Sequence, residues 1–332
     1  MKRSSWLKLT VAVVAIAGAA GTAHATSYLD IIDPANPTFT QALGINGSDT
    51  IVGYGNATAF DGFVLTLPPV PGNFTRENYP NPSPPPSTFF TQVTGIDAGG
   101  DTVGFYVTNP VLGTTSGFGK VASGPFFTIN QPGFVFNQVL GVNQVGSEVA
   151  GYSTTDPTGM TGQKAFTATG PAFTSFTDIN ALLPANFNSQ ATGVNNAGTV
   201  VGFYQDALGN FHAFEDLAGL ITSFEYPGSM STQALGINDL DEIVGDYVDP
   251  VNGNMYGFLD NGGVFTSLDP FGSTAVTANG INDKGIIVGF YVNGIGNTIG
   301  FATVPEPASL ALLGSGLIGL AVMHRRSARR SR

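Results

Sequence analysis

Six copies of one short pattern recur along the chain, and this repeat limits the possible folds more than any other feature. Each copy has a polar residue, usually glutamine, three positions before a glycine, then Ile-Asn or a close variant, and later a Val-Gly or Ala-Gly pair. The shared glycines are 43 to 52 residues apart and are Gly44, Gly95, Gly141, Gly193, Gly236 and Gly280. The β-branched and aromatic runs between Asn, Asp and Gly turns predict short strands, at four per copy.

A further segment, beginning with Phe or Ile and rich in Thr, ends each of the first five copies but not the sixth. It lies at residues 74–80, 127–132, 173–178, 221–227 and 265–270. After Phe301 it is missing, but a matching segment, Leu29–Pro34, lies near the N-terminus. We expect that segment to supply the last strand of the sixth copy, because an open stack would expose unpaired strand edges at both ends.

The repeat length predicts the architecture of residues 26–304. Four-stranded units of about 45 residues are typical of propeller blades, whereas rungs of a pure β-solenoid are usually shorter. The sequence therefore predicts an all-β domain, a six-bladed β-propeller whose N-terminal strand closes the last blade. A capped β-solenoid or paired β-sandwiches are the alternatives. One domain is expected, because a single repeat cannot bury both of its faces alone.

The N-terminus, residues 1–25, has the three zones of a signal peptide. A basic start with Lys2, Arg3 and Lys8 precedes an uncharged run over residues 9–21, which is too short to span a bilayer. Small residues at Ala23 and Ala25 suit signal peptidase and predict cleavage before Thr26. Signal peptidase is thus an expected partner.

The C-terminus, residues 305–332, begins with Pro305, Glu306 and Pro307. A predicted hydrophobic helix over residues 308–323 follows, and then a basic end over residues 324–332 that includes Arg325 and Arg326. Arginines beside an apolar segment stay in the cytoplasm, so the repeat domain is expected outside. An ordinary transmembrane anchor is the alternative, although 16 residues are short for a full span.

Both the tail and the repeat resemble known sequence families. The Pro-Glu-Pro motif, apolar helix and arginine cluster, in this order, resemble the PEP-CTERM sorting signal of Gram-negative bacteria, which an exosortase recognises. That resemblance implies an inner-membrane intermediate, cleavage near the motif and delivery to the surface, often with the polysaccharide of a biofilm matrix. The repeats resemble extracellular HAF repeats, although only the fourth contains His212-Ala213-Phe214 itself. The HAF resemblance implies an extracellular module and no established reaction.

Composition excludes several classes of function for residues 26–304. This region has 22 acidic and 4 basic residues, a net charge of −18, so nucleic acid and anionic lipid are poor partners. The chain has no cysteine, and His212 is the single histidine of the region, which leaves no disulfide and no Cys or His cluster for a metal. We expect no cofactor. A weak calcium candidate is the acidic stretch 238–242 with Asp246 and Asp249, whose alternative is a set of solvated turn acids.

The catalytic inventory is small. His212 with Glu215 and Asp216 could assist a serine nucleophile, but no Gly-x-Ser-x-Gly motif is present. We therefore expect no enzyme, and predict a secreted repeat protein that binds or organises extracellular polysaccharide. A carbohydrate-active enzyme, which needs two carboxyl groups roughly 5 to 10 Å apart, and a purely structural coat or adhesion component are the alternatives.

Five glutamines occupy one repeat position, where the sixth copy has Thr277. They are Gln41, Gln92, Gln138, Gln190 and Gln233. If the first strand of each repeat lines a central channel, these side chains form a polar ring that could bind sugar hydroxyls. The alternative is that their amides satisfy backbone groups between neighbouring blades.

Overall fold

The structure is a computed structural model that describes residues 27–55, 61–80, 90–183, 188–270 and 273–304. The predicted signal peptide, its cleavage site at Ala23, Ala25 and Thr26, and the whole sorting tail lie outside these residues. Within the described ranges, no helix is long and apolar enough to cross a membrane.

The described residues form 24 strands, which run as antiparallel meanders of four. The chain begins with β1 (Ser27–Ile31). The first and second sheets contain β2 (Thr40–Ile45), β3 (Thr50–Gly55), β4 (Asp61–Thr66) and β5 (Phe74–Arg76), then β6 (Thr91–Ile96), β7 (Thr102–Asn109), β8 (Thr114–Lys120) and β9 (Phe126–Ile129). The third and fourth contain β10 (Phe136–Val142), β11 (Glu148–Thr154), β12 (Lys164–Thr169) and β13 (Ser175–Asp178), then β14 (Ser189–Val194), β15 (Thr199–Gln205), β16 (Phe211–Leu217) and β17 (Leu220–Phe224).

The fifth and sixth meanders complete the set. They contain β18 (Ser231–Ile237), β19 (Glu242–Val248), β20 (Met255–Asn261) and β21 (Val264–Leu268), then β22 (Ala275–Ile281), β23 (Ile287–Val292) and β24 (Thr298–Val304). A single parallel pairing, Met255 with Ala275, joins these two meanders into one larger sheet. Short 3₁₀ turns lie at Pro71–Asn73, Pro171–Phe173 and Asn180–Leu182.

The N-terminal strand completes the sixth sheet, as the repeat predicted. β1 pairs antiparallel with β24, in register from Ser27 with Val304 to Ile31 with Gly300. The sixth sheet therefore has the order β22-β23-β24-β1, with its outermost strand taken from the other end of the domain.

The core lies between neighbouring sheets and explains the phenylalanine of each repeat. The third strand of sheets one to five, and β24 in the sixth, carries a fully buried ring, and these rings are Phe63, Phe118, Phe166, Phe214, Phe258 and Phe301. Phe301, for example, packs in one cluster with Val276 of its own sheet and Val244 of the fifth. Burial of each such side chain contributes about 2–3 kcal/mol, so the sheets depend on one another.

Glycine is required at two repeat positions because strands approach closely there. A Cβ on Gly202 of β15 would lie 2.0 Å from the carbonyl oxygen of Gln190 on β14. A Cβ on Gly236 of β18 would lie 2.6 Å from the carbonyl oxygen of Asn279 on the neighbouring β22. The first contact accompanies a β-bulge, since the pairing of β14 with β15 shifts register between Ala191 and Gly193. The same shift occurs in the first strand of all six sheets.

In four of the six sheets, the asparagine after the first strand links one sheet to the next. The Asn195 side chain donates from Nδ2 to the carbonyl oxygen of Asn238, and Asn238 donates in the same way to Asn282. Asn282 of the sixth sheet then donates to the carbonyl oxygen of Asn46 in the first sheet, over 3.0 Å. The first and last sheets of the chain are thus joined by the same bond that joins consecutive sheets.

Candidate functional site

A cavity of about 340 Å³ lies between the first strands of all six sheets. Every first strand contributes to its wall, because residues of β2, β6, β10, β14, β18 and β22 all line it. Four second-strand side chains, Phe105, Phe203, Asp246 and Phe290, complete the wall behind them. The volume is within the roughly 300–1,000 Å³ range of small-molecule sites.

The five repeat glutamines and Thr277 all line this cavity. The Gln41 amide oxygen accepts a hydrogen bond from the Tyr54 hydroxyl at 2.7 Å, and Gln190 donates to the side chain of Gln163 at 2.9 Å. Among the described residues, no side-chain hydrogen bond involves Gln92, Gln138 or Gln233. None of the five glutamine side chains bonds a backbone group of the described chain, so the alternative role considered from the sequence is not seen. Their role in ligand binding stays a prediction.

Residues at the bulge of each first strand form the next layer of the wall, and their chemistry alternates around the cavity. Leucine occupies this position in the first, third and fifth sheets, and a polar residue occupies it in the others. In order, the six residues are Leu43, Thr94, Leu140, Thr192, Leu235 and Asn279.

The polar members of this layer make the backbone contacts between sheets that the glutamines do not make. Thr94 donates to the carbonyl oxygen of Val139 at 2.8 Å, and Thr192 donates to that of Ala234 at 2.8 Å. Asn279 donates to the carbonyl oxygen of Ala42 at 3.2 Å. These three side chains hold the scaffold, while the three leucines give the cavity apolar surface.

Gln144 lies at the end of the cavity formed by the turns that follow the first strands. It belongs to the turn between β10 and β11, and its Oε1 accepts a hydrogen bond from the backbone N–H of Gly47, two sheets away, at 3.2 Å. Its own carbonyl oxygen accepts from Ala98 of the second sheet at 2.9 Å. Gln144 therefore reaches across the end of the cavity that the turns form. The five repeat glutamines lie toward the opposite end of the cavity.

Asp246 is the one carboxylic acid among the described residues of the cavity wall. It pairs in register with Gln233, at the position where the other five sheets have Tyr or Phe. The side chain is 5% exposed, and burial raises its pKa to about 7, although a hydrogen bond with Thr277 opposes the shift. The sequence contains a signal for this site, since Asp246 interrupts an otherwise aromatic repeat position, but the structure separates it from the nearby acids of the calcium candidate.

His212 is remote from the cavity wall. Its Nδ1 lies 2.5 Å from Glu225 Oε1, and its Nε2 lies 3.2 Å from Asp206 Oδ2. Although burial lowers it, these two carboxylates raise the pKa of His212 above its ordinary value. The sequence paired His212 with Glu215 and Asp216, but the structure pairs it with two other acids at the surface.

The acids of the weak calcium candidate are used in contacts between and within sheets. Asp239 accepts hydrogen bonds from Asn196, Asp241 accepts from Asn195 at 2.8 Å, and Glu242 accepts from Asn238 at 2.8 Å. In the described part of the chain, no group of three or more acidic, His or Cys side chains is placed to hold a metal ion.

Comparison with known proteins first defines the fold class. A sialidase from Trypanosoma rangeli matches with a TM-score of 0.51 and 7% identity, covering 90% of this chain and 58% of the sialidase. A structural genomics protein of unknown function from Bacteroides thetaiotaomicron matches with a TM-score of 0.50 and 13% identity, covering 84% and 76%. At these identities the likeness concerns the fold alone. The fold is all-β and propeller-like, built from four-stranded sheets.

A second comparison defines where the protein is sent. Residues 303–326 match the PEP-CTERM protein-sorting motif, which confirms the sequence interpretation of the tail. The motif is a substrate signal for exosortase processing and indicates a bacterial protein exported to the cell surface or the extracellular space. No curated protein matches the chain. The HAF resemblance of the repeats stays a prediction.

Proposed function

We propose that this protein is a non-enzymatic carbohydrate-binding module that holds extracellular polysaccharide in its cavity. The observation that carries the proposal is the concentration of repeat glutamines around one 340 Å³ cavity. Amide groups both donate and accept hydrogen bonds, as sugar hydroxyls do, and Gln92, Gln138 and Gln233 have no side-chain partner among the described residues. The leucines of the bulge layer and the rings of Phe105 and Phe290 give apolar surface for the C–H faces of a sugar.

The finer architecture that we propose is a closed ring of six blades. Three observations support it: β1 completes the sixth sheet, Asn282 bonds Asn46 as consecutive turn asparagines bond each other, and Asn279 bonds Ala42. Closure removes the exposed edges that an open stack would have. Closure also places equivalent residues of all six repeats around one axis. In a solenoid, these residues would be spread along the length of the domain.

The proposed life cycle follows from the sorting tail. Signal peptidase removes residues 1–25, the tail holds the protein at the inner membrane of a Gram-negative bacterium, and an exosortase releases it to the surface. The acidic domain then meets the polysaccharide of a biofilm matrix. Intact mass of the secreted protein, together with cell fractionation, tests each of these steps.

The binding proposal is tested with the full-length protein, purified in mild detergent and applied to a bacterial glycan array. We expect binding to a restricted set of polysaccharides, and a loss of at least about tenfold in affinity for Gln138→Leu combined with Gln233→Leu, since both amides face the cavity. Gln205→Leu is the matched control, because that glutamine lies outside the cavity wall. Self-assembly without any glycan binding would instead support a structural coat component and contradict the proposal.

A carbohydrate-active enzyme is the second candidate, and Asp246 is the observation that favours it. A buried carboxyl with a pKa of about 7 can act as a general acid, but glycosidases also use a second, ionised carboxylate roughly 5 to 10 Å away. Release of reducing sugar from an array-positive polysaccharide, abolished in Asp246→Asn, would establish this candidate in place of simple binding.

A further inference from the structure

We propose that Asp246 makes the cavity selective for sugars that carry an ammonium group, so that the ligand is a polysaccharide containing free amino sugars. This inference rests on the proposed carbohydrate-binding function and specifies its ligand. It starts from the one place where the cavity wall departs from its own repeat: five aromatic side chains and one aspartate occupy equivalent positions in the six sheets.

The carboxyl group of Asp246 lacks a protein cation. Residues 27–304 contain four basic residues, and none of them lines the cavity. Arg76, Lys120 and Lys284 form ion pairs with Asp33, Glu77 and Asp49, and Lys164 lies near the ring of Phe134. A buried carboxylate without a counter-ion is costly, and a ligand cation would remove that cost.

The groups around Asp246 suit an ammonium ion better than a second anion or a bare metal ion. Neighbouring strands bring Gln233 and Thr277 to it, and neither of these titrates. Phe203 and Phe290 line the same cavity, and ammonium groups bind favourably near aromatic rings and carboxylates together.

The net charge of the whole domain also favours a cationic ligand. With a net charge of −18 over residues 26–304, the protein attracts cationic polymers and repels anionic ones. The general field raises the local concentration of a cationic polysaccharide, and Asp246 would then fix one amino sugar within the cavity.

Two oligosaccharides that differ only in this group test the inference: a glucosamine trisaccharide and its fully N-acetylated counterpart. Binding of each to the full-length protein in detergent is measured by calorimetry at neutral pH. We expect the glucosamine trisaccharide to bind about tenfold tighter or more, as a charge-assisted hydrogen bond predicts. In Asp246→Asn this preference should fall to within about twofold, while the N-acetylated compound keeps its affinity.

Asp283→Asn is the matched control. Asp283 is exposed at the turn end and outside the cavity wall, so this change removes the same charge without altering the cavity. Equal binding of both trisaccharides to the native protein would overturn the selectivity but leave the proposed function intact. A preference that falls equally in Asp246→Asn and Asp283→Asn would have the same consequence. No binding of any oligosaccharide would overturn the proposed function itself. If Asp246→Asn loses its cooperative thermal transition, Asp246→Ser replaces it.

Discussion

A buried carboxyl group lies at each of the two junctions of the sixth sheet with its neighbours. One of the two groups forms an ion pair within the protein and the other does not. At the junction with the first sheet, Asp33 is fully buried and forms a two-pronged ion pair with Arg76, at 2.5 and 2.7 Å. At the junction with the fifth sheet, Asp246 is 5% exposed, lines the cavity and has the uncharged side chains of Gln233 and Thr277 beside it. One carboxylate is neutralised within the protein, whereas the other faces a space that a ligand can enter.

This difference separates a structural acid, Asp33, from the acid that we propose binds a ligand, Asp246. Arg76 is one of only four basic residues in the domain, and it forms its ion pair where β1 joins the sheet that contains the last strand of the domain, β24. Asp33 lies directly after β1, so the ion pair anchors the strand that closes the sixth sheet. Asp246 forms no ion pair with a residue of the described chain, and buried ionisable groups with strongly shifted pKa values are concentrated at functional sites.

The largest effect is expected from removing the closing strand. Deletion of residues 27–34 would leave one edge of β24 without a partner strand, expose that edge beside Phe301 and remove both Ile31 and Asp33, each 0% exposed. We expect aggregation and no cooperative transition in thermal unfolding. Ile32→Ser is the control, since Ile32 is 40% exposed and should behave as the native protein does. A deleted chain that still unfolds cooperatively at the native temperature would contradict the closed ring and favour an open stack.

The next largest effect is expected from removing one partner of the ion pair between Arg76 and Asp33. Arg76→Gln leaves Asp33 buried without a cation, which typically costs about 3–5 kcal/mol of unfolding free energy. Urea denaturation of the full-length protein in detergent measures this loss. The double variant Arg76→Gln with Asp33→Asn should recover most of the stability, because no buried charge is then left unpaired. If the single variant loses no stability, Asp33 is not acting as a structural acid.

Asp246→Asn is expected to change the unfolding free energy in the opposite direction and to stabilise the protein. Burial raises the pKa of Asp246 to about 7 in the folded protein, from 3.8 when unperturbed, so the folded state holds this proton more tightly than the unfolded state does. The contribution of Asp246 to stability is therefore most favourable below pH 4 and becomes less favourable as the pH rises toward 7, by about 4 kcal/mol at most. Asparagine cannot ionise, so the variant should be more stable than the native protein at pH 8 and similar to it at pH 4. Equal pH profiles would show that Asp246 carries no desolvation cost.

Sequence reasoning succeeded where a feature recurs and failed where it occurs once. The six-fold pattern predicted the strands, the shared glycines and the pairing of the N-terminal segment with β24, because each depends on equivalent residues in every copy. The five glutamines that share one repeat position all line the cavity, and their role in binding stays a prediction.

The features that distinguish one sheet from another depend on contacts between distant residues. Asp33 and Arg76 are 43 positions apart, and nothing in their local sequence links them. The bulge in each first strand, which turns Thr94, Thr192 and Asn279 toward the next sheet, leaves no mark in a strictly alternating pattern. Asp246 did leave a mark, as the one acid at an aromatic position, but its burial had to be seen in three dimensions.

A second ion pair lies at the junction of the sixth and first sheets. Its removal is expected to change stability least, in contrast to the removal of Arg76. Lys284 bonds Asp49 at 2.9 and 3.0 Å, but its side chain is 53% exposed, so solvent screens the attraction. Lys284→Gln should cost less than about 1 kcal/mol in urea denaturation, and the difference should vanish in 1 M salt, roughly. The cost of Arg76→Gln should persist in that salt, because Asp33 has no access to water. Equal salt sensitivity of the two variants would mean that the junction is held by its overall charge, and that burial of Asp33 contributes little.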